Sequence, residues 1–586
     1  MQSIEQTDVL VIGAGPMGAT TSLALARLGV RVQMVSRYNW TANTPRAHIT
    51  NQRAVEVLRD LGVEEEARRE ATPWEWMGDT LFTTSLAGPE IARLRTWGTG
   101  DKRIGDYLQG SPCPMMDLPQ NKMEPILVKH AAAHGAVLSF NTEYLSHEQD
   151  ATGVTVMLRD VNTGQERQVR ARFLVGADGA KSKVMEDAGL KVEGQLSRAG
   201  TAYVLFRADL TRYVAHRPSI LYWIVTSNAA FGEIGMGLLR AIDPWNKWIA
   251  GWGFDMDKGE PDFSPAEVLK KIRFLVGDPN LEAEIETTSV WHVNQACAPI
   301  YSKGRVFCGG DAVHRHPPSS GLGSNTCMQD AFNLAWKLAY VVKGYAGEKL
   351  LDSYTLERAP VGAQIVKRAN QSRVDYGPLN QCFREKDAPD PVAAGLAKLA
   401  DPGPEGIARR AALAKALDLK NTEFNAQGVE LNQRCISAAV VSDEEGVEEV
   451  WKRDSQLYLQ ATTRPGAKIP HAWLIGADGR RVSTLDLVGK GRFTLVTGLA
   501  GQAWVQAAKS FNLQYLDNLV IGLPGMQDVY CDWQVVREIE EAGALLVRPD
   551  GVVAWRHRTG VEGVTEASAE LAKVLKVVLA KSLELT

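Results

Sequence analysis

Two kinds of apolar pattern alternate along the chain. Residues 8–12 and 30–35 are continuous apolar runs on either side of an alanine-rich stretch that ends near Gly29, the order of a strand, a helix and a second strand. Runs at 174–176 and 305–309 likewise end in glycine and aspartate and predict buried strands. From Gly321 the side chains are small, and then Met328, Ala331, Leu334, Ala335, Leu338 and Ala339 recur at three and four, predicting a helix to about Lys343 with a second over 351–370. Between about 185 and 300 the period becomes two, over 202–206, 221–225, 234–239 and 248–253, which predicts a sheet with one face turned to a core and the other open to a ligand. Pro389, Pro391, Pro402 and Pro404 mark a linker, followed by an alanine- and lysine-rich helix over 408–419. The last portion, 455–586, alternates strands (493–497, 519–521, 544–547, 552–556) with a helix near 503–511, and Arg548-Pro-Asp-Gly551 makes a hairpin turn.

The chain is therefore expected to be α/β, and its 586 residues suffice for about three domains. A net charge of −4 gives no electrostatic footprint for nucleic acid or an acidic membrane. No apolar run approaches the ~20 residues that span a bilayer, and acids rather than basic residues precede the first apolar run, so a soluble cytoplasmic protein is expected. Seven scattered cysteines lack CxxC or metal spacing, which makes reduced thiols the default and gives no metal site.

Candidate chemistry sits where strands end. Gly13-Ala-Gly15-Pro16-Met-Gly18 opens the first helix, and the spacing fits a βαβ dinucleotide-binding turn: glycines for the turn, for approach of a pyrophosphate and for helix packing. The acid expected about twenty residues on, which would hold a ribose, is replaced by Ser36-Arg37. Asp178-Gly179 and Gly310-Asp311 close two further strands, and Asp311 suits a sugar-alcohol hydroxyl. The helix beginning near Gly321 would present unpaired N–H groups and about half a positive charge to a flat anionic ligand such as a reduced flavin; taken alone, the same stretch reads as an ordinary capped helix.

With three such segments in this order, the chain resembles the single-component flavoprotein aromatic hydroxylases, whose GxGxxG, DG and GD motifs match Gly13–Gly18, Asp178-Gly179 and Gly310-Asp311. It is most similar to their phenol hydroxylase branch through PRAHITNQRAVEVLRDLG (45–62), MDLPQNKMEP (116–125), DPWNKW (243–248), GDAVHRHPP (310–318) and RPGAKIPHAWL (464–474). The resemblance implies a Rossmann-like FAD-binding domain (1–184 and 301–380), an inserted antiparallel-sheet substrate domain (185–300), a helical linker (381–454) and a thioredoxin-like C-terminal domain (455–586), without a CxxC and so used for packing and homodimer contacts. It implies FAD, NADPH or NADH as reductant, O2, and ortho-hydroxylation of a small phenolic substrate to a catechol through a flavin C4a-hydroperoxide. A halogenase or dehydrogenase on the same fold, a hydroxylase of another aromatic or polyketide-type substrate, and a non-catalytic flavin sensor are the alternatives.

The same resemblance assigns residues. Gly13, Gly15, Pro16, Gly18, Ser36, Arg37, Arg46, Gln120, Asp178, Asp311, Pro318, Gly321, Gly323, Ser324 and Asn325 are the expected cofactor contacts. His48 and Asp117 are expected to remove and relay the phenol proton, a backbone-bonded structural histidine and a helix N-cap being their bland readings, and the third expected catalytic residue, Arg240 in an otherwise apolar strand, needs an anionic partner, be it a protein carboxylate, a phenolate or the flavin hydroperoxide. Tyr222, Trp223, Met236, Leu238 and Trp291, with Pro318, are expected to line the substrate space. Two departures stand out: Lys183 and Met185 follow the DG motif where the family carries arginine, and Asp243 stands where relatives have a second arginine.

Overall fold

In the computed structural model, which describes residues 4–197, 199–227, 234–444 and 446–583, the first domain is organised by a parallel sheet. Strand Glu5–Ile12 lies between Val32–Val35 and Glu166–Gly176, and the last of these pairs in turn with Val306–Cys308. The register sets Ile12, Gly176 and Cys308 side by side. Three loops that are far apart in sequence, beginning at Gly13, Ala177 and Gly309, therefore leave one carboxyl edge together, which is where open α/β sheets bind ligands. Glycine is obligatory at Gly13: its φ is +111°, and a Cβ there would stand 2.2 Å from the Ala177 carbonyl oxygen.

The helix Gly323–Val342 runs through the core of this domain, buried along almost its whole length, beside the first helix, Pro16–Arg27. The next helix is Ser353–Val374, somewhat longer than its sequence pattern indicates.

The second large sheet has seven strands and is mostly antiparallel. Gly200–Arg207, Leu221–Ile224, Gly237–Asp243, Lys247–Phe254 and Glu284–His292 come from the inserted stretch, but Asp79–Thr83 and Glu90–Arg95 complete it, with a parallel pairing between 79–83 and 221–224. One face packs on helix Pro265–Val276 through Val204, Phe206, Tyr222, Leu239 and Trp248. The opposite face carries Trp223, Met236 and Leu238, against Ile49, Tyr376, Leu379 and Phe383.

The proline-marked linker is helical through most of its length, because Pro391 and Pro404 occupy first-turn positions where a missing N–H costs nothing. Its short helix Gln427–Leu431 buries Glu430 beside Arg103 and Tyr107, with Oε2 lacking a hydrogen-bond partner. Burial pushes this carboxyl up to about 8, against the pull of Arg103. Its proton is thus kept in the fold and lost on unfolding above the ordinary carboxylate range, so stability is full below pH ~4.5 and falls by up to about 1.4 kcal/mol per pH unit until ~8. Glu430→Gln should flatten the melting temperature between pH 5 and 8; curves that stay parallel to wild type would refute this.

The C-terminal portion is thioredoxin-like: Leu516–Val520, Phe493–Thr497, Ala544–Val547 and Val553–His557 form the sheet, packed by Gln502–Ser510 and Val564–Val578. The last helix was legible as an amphipathic repeat of Ala567, Leu571, Val574, Leu575 and Val578, yet the sequence reading above does not predict it. Buried charges clamp this portion to the first domain. Glu357 accepts from Arg548 (2.7 and 2.9 Å), Lys337 (2.8 Å), Asn333 (2.7 Å) and Ser437 (2.6 Å), and Asp550 completes the cluster on Arg548.

Candidate functional site

Residues 49–50 and 116–117 form a two-stranded ladder pairing Ile49 with Asp117, and backbone bonds from Leu118 to His48 (2.8 Å) and from Gln120 to Ala47 (2.8 Å) extend it. The ladder brings His48 beside Asp117, and the face of the large sheet delivers Arg240 to the same point. Arg240 Nη2 donates to Asp117 Oδ2 at 2.7 Å, and His48 Nδ1 is 3.8 Å from Asp117 Oδ1, too far for a direct hydrogen bond. All three are buried, at 9% (His48), 1% (Asp117) and 9% (Arg240) exposure. Asp117 is thus not a cap: the helix Gln120–Ala133 is preceded by Pro119 at its N-cap.

Electrostatics separate their roles. Burial, and then the Arg240 cation, hold the His48 imidazole well below its ordinary range, so it is neutral at physiological pH. Burial raises the Asp117 carboxyl, and Arg240 pulls it back. His48 Nδ1 and Arg240 Nε are both buried without a hydrogen-bond partner, which leaves an acceptor and a donor for a hydroxyl group.

The sheet face sorts the expected lining. Trp223, Leu238 and Arg240 share a face because 223 pairs with 238 and 240 lies two residues on. Tyr222 does not belong with them. Alternation turns it to the opposite face, where its hydroxyl donates to the Arg217 carbonyl (3.0 Å) within the core against helix Pro265–Val276. Trp291 faces the same way as Trp223 but from the edge strand, four strands and about 19 Å away, too far to share a phenol-sized space with it. Tyr203, which the sequence reading passes over, is on this face and reaches across Gly251, where a Cβ would stand 2.8 Å from its ring. Alternation over 202–206 was the available signal; the absence of a side chain at Gly251 was the missing half.

The cofactor candidates gather at the carboxyl edge. Helix Pro16–Arg27 starts with Gly15 at its N-cap and Pro16 at N1, leaving first-turn N–H groups for an anion. A Cβ on Gly15 would meet nothing nearer than Glu124 Oε1 at 3.8 Å, so this approach is open, whereas Gly18 packs on Gly13. Ser36 is buried at the end of its strand and accepts weakly from the Tyr38 N–H (3.4 Å), while Arg37 is exposed over the Tyr38 ring (4.9 Å). Gln120 donates to Glu124 at 2.6 Å, and the nearby Arg46 is exposed. Glu124 also takes the Ala42 N–H (2.7 Å); this buried acid fixes Gln120 and was missed in the sequence, where it reads as one more helix carboxylate. Asp178 accepts from Ser182 (2.5 Å) and from the Val184 N–H (3.2 Å), so its side chain holds the DG turn. Asp311 projects an exposed carboxylate.

Gly321 lies just before, and Gly323 opens, a helix with no side-chain cap. Asn325 spends its amide on the structure instead of presenting it to a ligand: it donates to Ile49 (2.8 Å) and Gly321 (2.5 Å) carbonyls and accepts from the Asn51 N–H (2.9 Å). Its backbone N–H and those of Gly323 and Ser324 belong to the first turn, which leaves such groups without helical partners. Pro318 is exposed, and its carbonyl accepts from the Gly321 N–H (3.1 Å). Glycines with open approach, exposed Asp311, a fixed Gln120 and two helix starts at one edge fit a dinucleotide bearing a flat ring.

Comparison with known proteins agrees. Residues 6–369 match the FAD binding domain family, and residues 462–581 match the aromatic-ring hydroxylase C-terminal family. The chain is 48% identical to 2,4-dichlorophenol 6-monooxygenase of Cupriavidus pinatubonensis over 99% of its own length and 97% of that protein. It is 43% identical to phenol 2-monooxygenase of a Pseudomonas species, over 95% of this chain and 91% of that one. Its fold superimposes with a TM-score of 0.93 and 42% identity on the flavin-dependent monooxygenase PieE in complex with FAD and substrate, covering 98% of this chain and 99% of that one.

Proposed function

Since the chain belongs to the FAD-binding aromatic-ring hydroxylases, we propose that it is an NAD(P)H-dependent monooxygenase that ortho-hydroxylates a substituted phenol to a catechol. The observation that carries the reading is the meeting of neutral His48, Asp117 and Arg240 from three separate segments beside the sheet face. FAD, when bound, would supply the activation of O2, one atom of which goes to the phenol ring and the other to water. The first-turn N–H groups after Gly15 suit its pyrophosphate, Ser36 and Arg37 its adenosine end, Arg46, Gln120 and Asp311 its ribityl chain, and the helix start at Gly323 the charge on its pyrimidine edge.

The chain's own work is on the phenol proton. A free phenol ionises near pH ~10, so about one part in 10³ is phenolate at pH 7, and complete ionisation in the site is worth up to ~4 kcal/mol toward attack on the ring. Arg240 stabilises the phenolate oxygen, and burial, aided by the same charge, holds His48 neutral and ready to accept. Because the imidazole is then a weak base, the proton His48 accepts passes on to Asp117, whose carboxyl burial has raised, when the two side chains close the 3.8 Å between Nδ1 and Oδ1. Trp223, Met236 and Leu238 hold the ring and keep water away.

The test is direct: oxygen-dependent NADPH and NADH consumption over a panel of substituted phenols, with catechol quantified. Consumption that no phenol stimulates would overturn the reading. Two neighbouring substitutions sharpen it. Tyr222→Phe should cost about 1 kcal/mol of stability through its lost hydrogen bond and leave substrate ranking unchanged. Trp223→Ala should change the ratio of kcat/KM between two phenols of different size by roughly tenfold or more; equal effects of the two would disprove the facing described above. The division into domains at 184, 300, 380 and 454, with strands 79–83 and 90–95 joined to the inserted domain, a homodimer formed through the C-terminal domain and a cytoplasmic location complete the proposal; sedimentation of full-length protein tests the homodimer.

A further inference from the structure

Asp330 is fully buried on helix Gly323–Val342, two turns beyond its start, and none of the chemistry above uses it. Its two oxygens gather three other segments. Oδ2 accepts the Gly310 N–H at 3.1 Å and faces His314 Nε2 at 2.9 Å, and Oδ1 accepts Arg358 Nε from helix Ser353–Val374 at 2.7 Å. A carboxylate only accepts, so His314 carries its proton on Nε2. The His314 ring stacks on His316, with centroids 6.2 Å apart and planes at 26°; His316 Nδ1 donates to the Pro317 carbonyl at 2.8 Å. The His316 ring in turn abuts Gly323, where a Cβ would stand 3.6 Å from Cε1. One carboxylate thus reaches the Gly310-Asp311 turn through a backbone N–H and the helix start through two stacked imidazoles. Those are the two places where the reading above puts the ribityl chain and the ring of the flavin. Arg358 and His314 together keep Asp330 ionised despite burial, which would raise it.

We propose that Asp330 is a positioning residue for the flavin, fixing the Gly310-Asp311 turn and, through His314 and His316, the start of the central helix in one mutual geometry. The inference rests on the flavin reading. Its test is FAD binding to the apoprotein, with the visible spectrum and midpoint potential of the bound flavin. Loss of one such supporting partner should weaken FAD binding by about 10- to 100-fold in Asp330→Asn, with a displaced flavin absorption band and potential. His314→Gln, which keeps a donor but removes the stacked ring, should displace the same band with a smaller loss of affinity. Glu56→Gln removes the charge of another buried acid, held by Lys468, Ser111 and Arg53 and making no bond to the Gly310 turn or the histidine pair, and should lower stability while leaving affinity and spectrum at wild-type values. Wild-type affinity and spectrum in Asp330→Asn would overturn the proposal, as would a Glu56→Gln variant that shifts the spectrum equally. If Asp330→Asn does not fold, an unchanged spectrum in His314→Gln overturns it alone. A wild-type protein that takes up no FAD would instead bring down the functional reading itself.

Discussion

His48→Ala is expected to lower catechol formation by roughly 10²- to 10⁴-fold, the range for loss of a positioned proton acceptor, while FAD stays bound and reductant is still consumed. The consumed reductant should appear as hydrogen peroxide, because the residue acts on the phenol and not on the flavin. The ratio of catechol to NADPH oxidised is therefore the measurement. Unchanged coupling would remove His48 from the mechanism. The effect should also depend on substrate: a phenol already ionised at the working pH, such as one bearing a nitro group, should recover much of the lost rate in the variant. Equal losses for ionised and un-ionised phenols would mean that the imidazole only shapes the space.

Glu357→Ala should have the largest effect on stability. In the buried cluster Lys337 and Arg548 are balanced by Glu357 and Asp550, and removing Glu357 leaves one uncompensated positive charge in a region closed to water. Breaking a buried pair this way costs about 3–5 kcal/mol. The carboxyl of Glu357 is held well below its ordinary range by Arg548 and Lys337, against the opposing effect of burial, so its contribution is present at neutral pH and lost only in strong acid. A chain of several domains need not unfold in one step, so the readouts are the denaturant midpoint and the rate at which a protease severs the C-terminal portion. Glu357→Leu combined with Arg548→Met restores charge balance and should recover much of the loss. A double variant as unstable as Glu357→Ala would show that packing, not charge, is the cause.

Much of this was legible in the sequence because its signals are local. The strand–glycine–helix spacing at 8–29 and the small residues at 321–326 follow from what a backbone needs at a turn and a helix start, and they fall where the pattern puts them. The facing of Tyr222 was not legible in the same way. The stretch Leu221–Val225, expected to alternate, is apolar at every position, so its pattern gives no contrast from which to choose the face of 222 or 223. Glu124 and Asp330 were also beyond reach, since a buried acid on a helix differs from an exposed one only through partners, Ala42 and Gly310 among them, that are distant in the chain. Asn325 shows the reverse: it stands in the first turn of the helix, where the sequence pattern puts it, but its amide is occupied by the loop at Ile49, which only the tertiary contact reveals.

The origin of strands 79–83 and 90–95 has a practical consequence. Because they finish a sheet whose other members come from residues 200–292, the two lobes are sewn together at several seams, and no single cut can free the seven-stranded lobe as an intact fragment. Excising 185–300 would strip away five of seven strands and leave a bare hairpin behind. Transplanting specificity between relatives therefore means moving the 79–95 hairpin along with the insert.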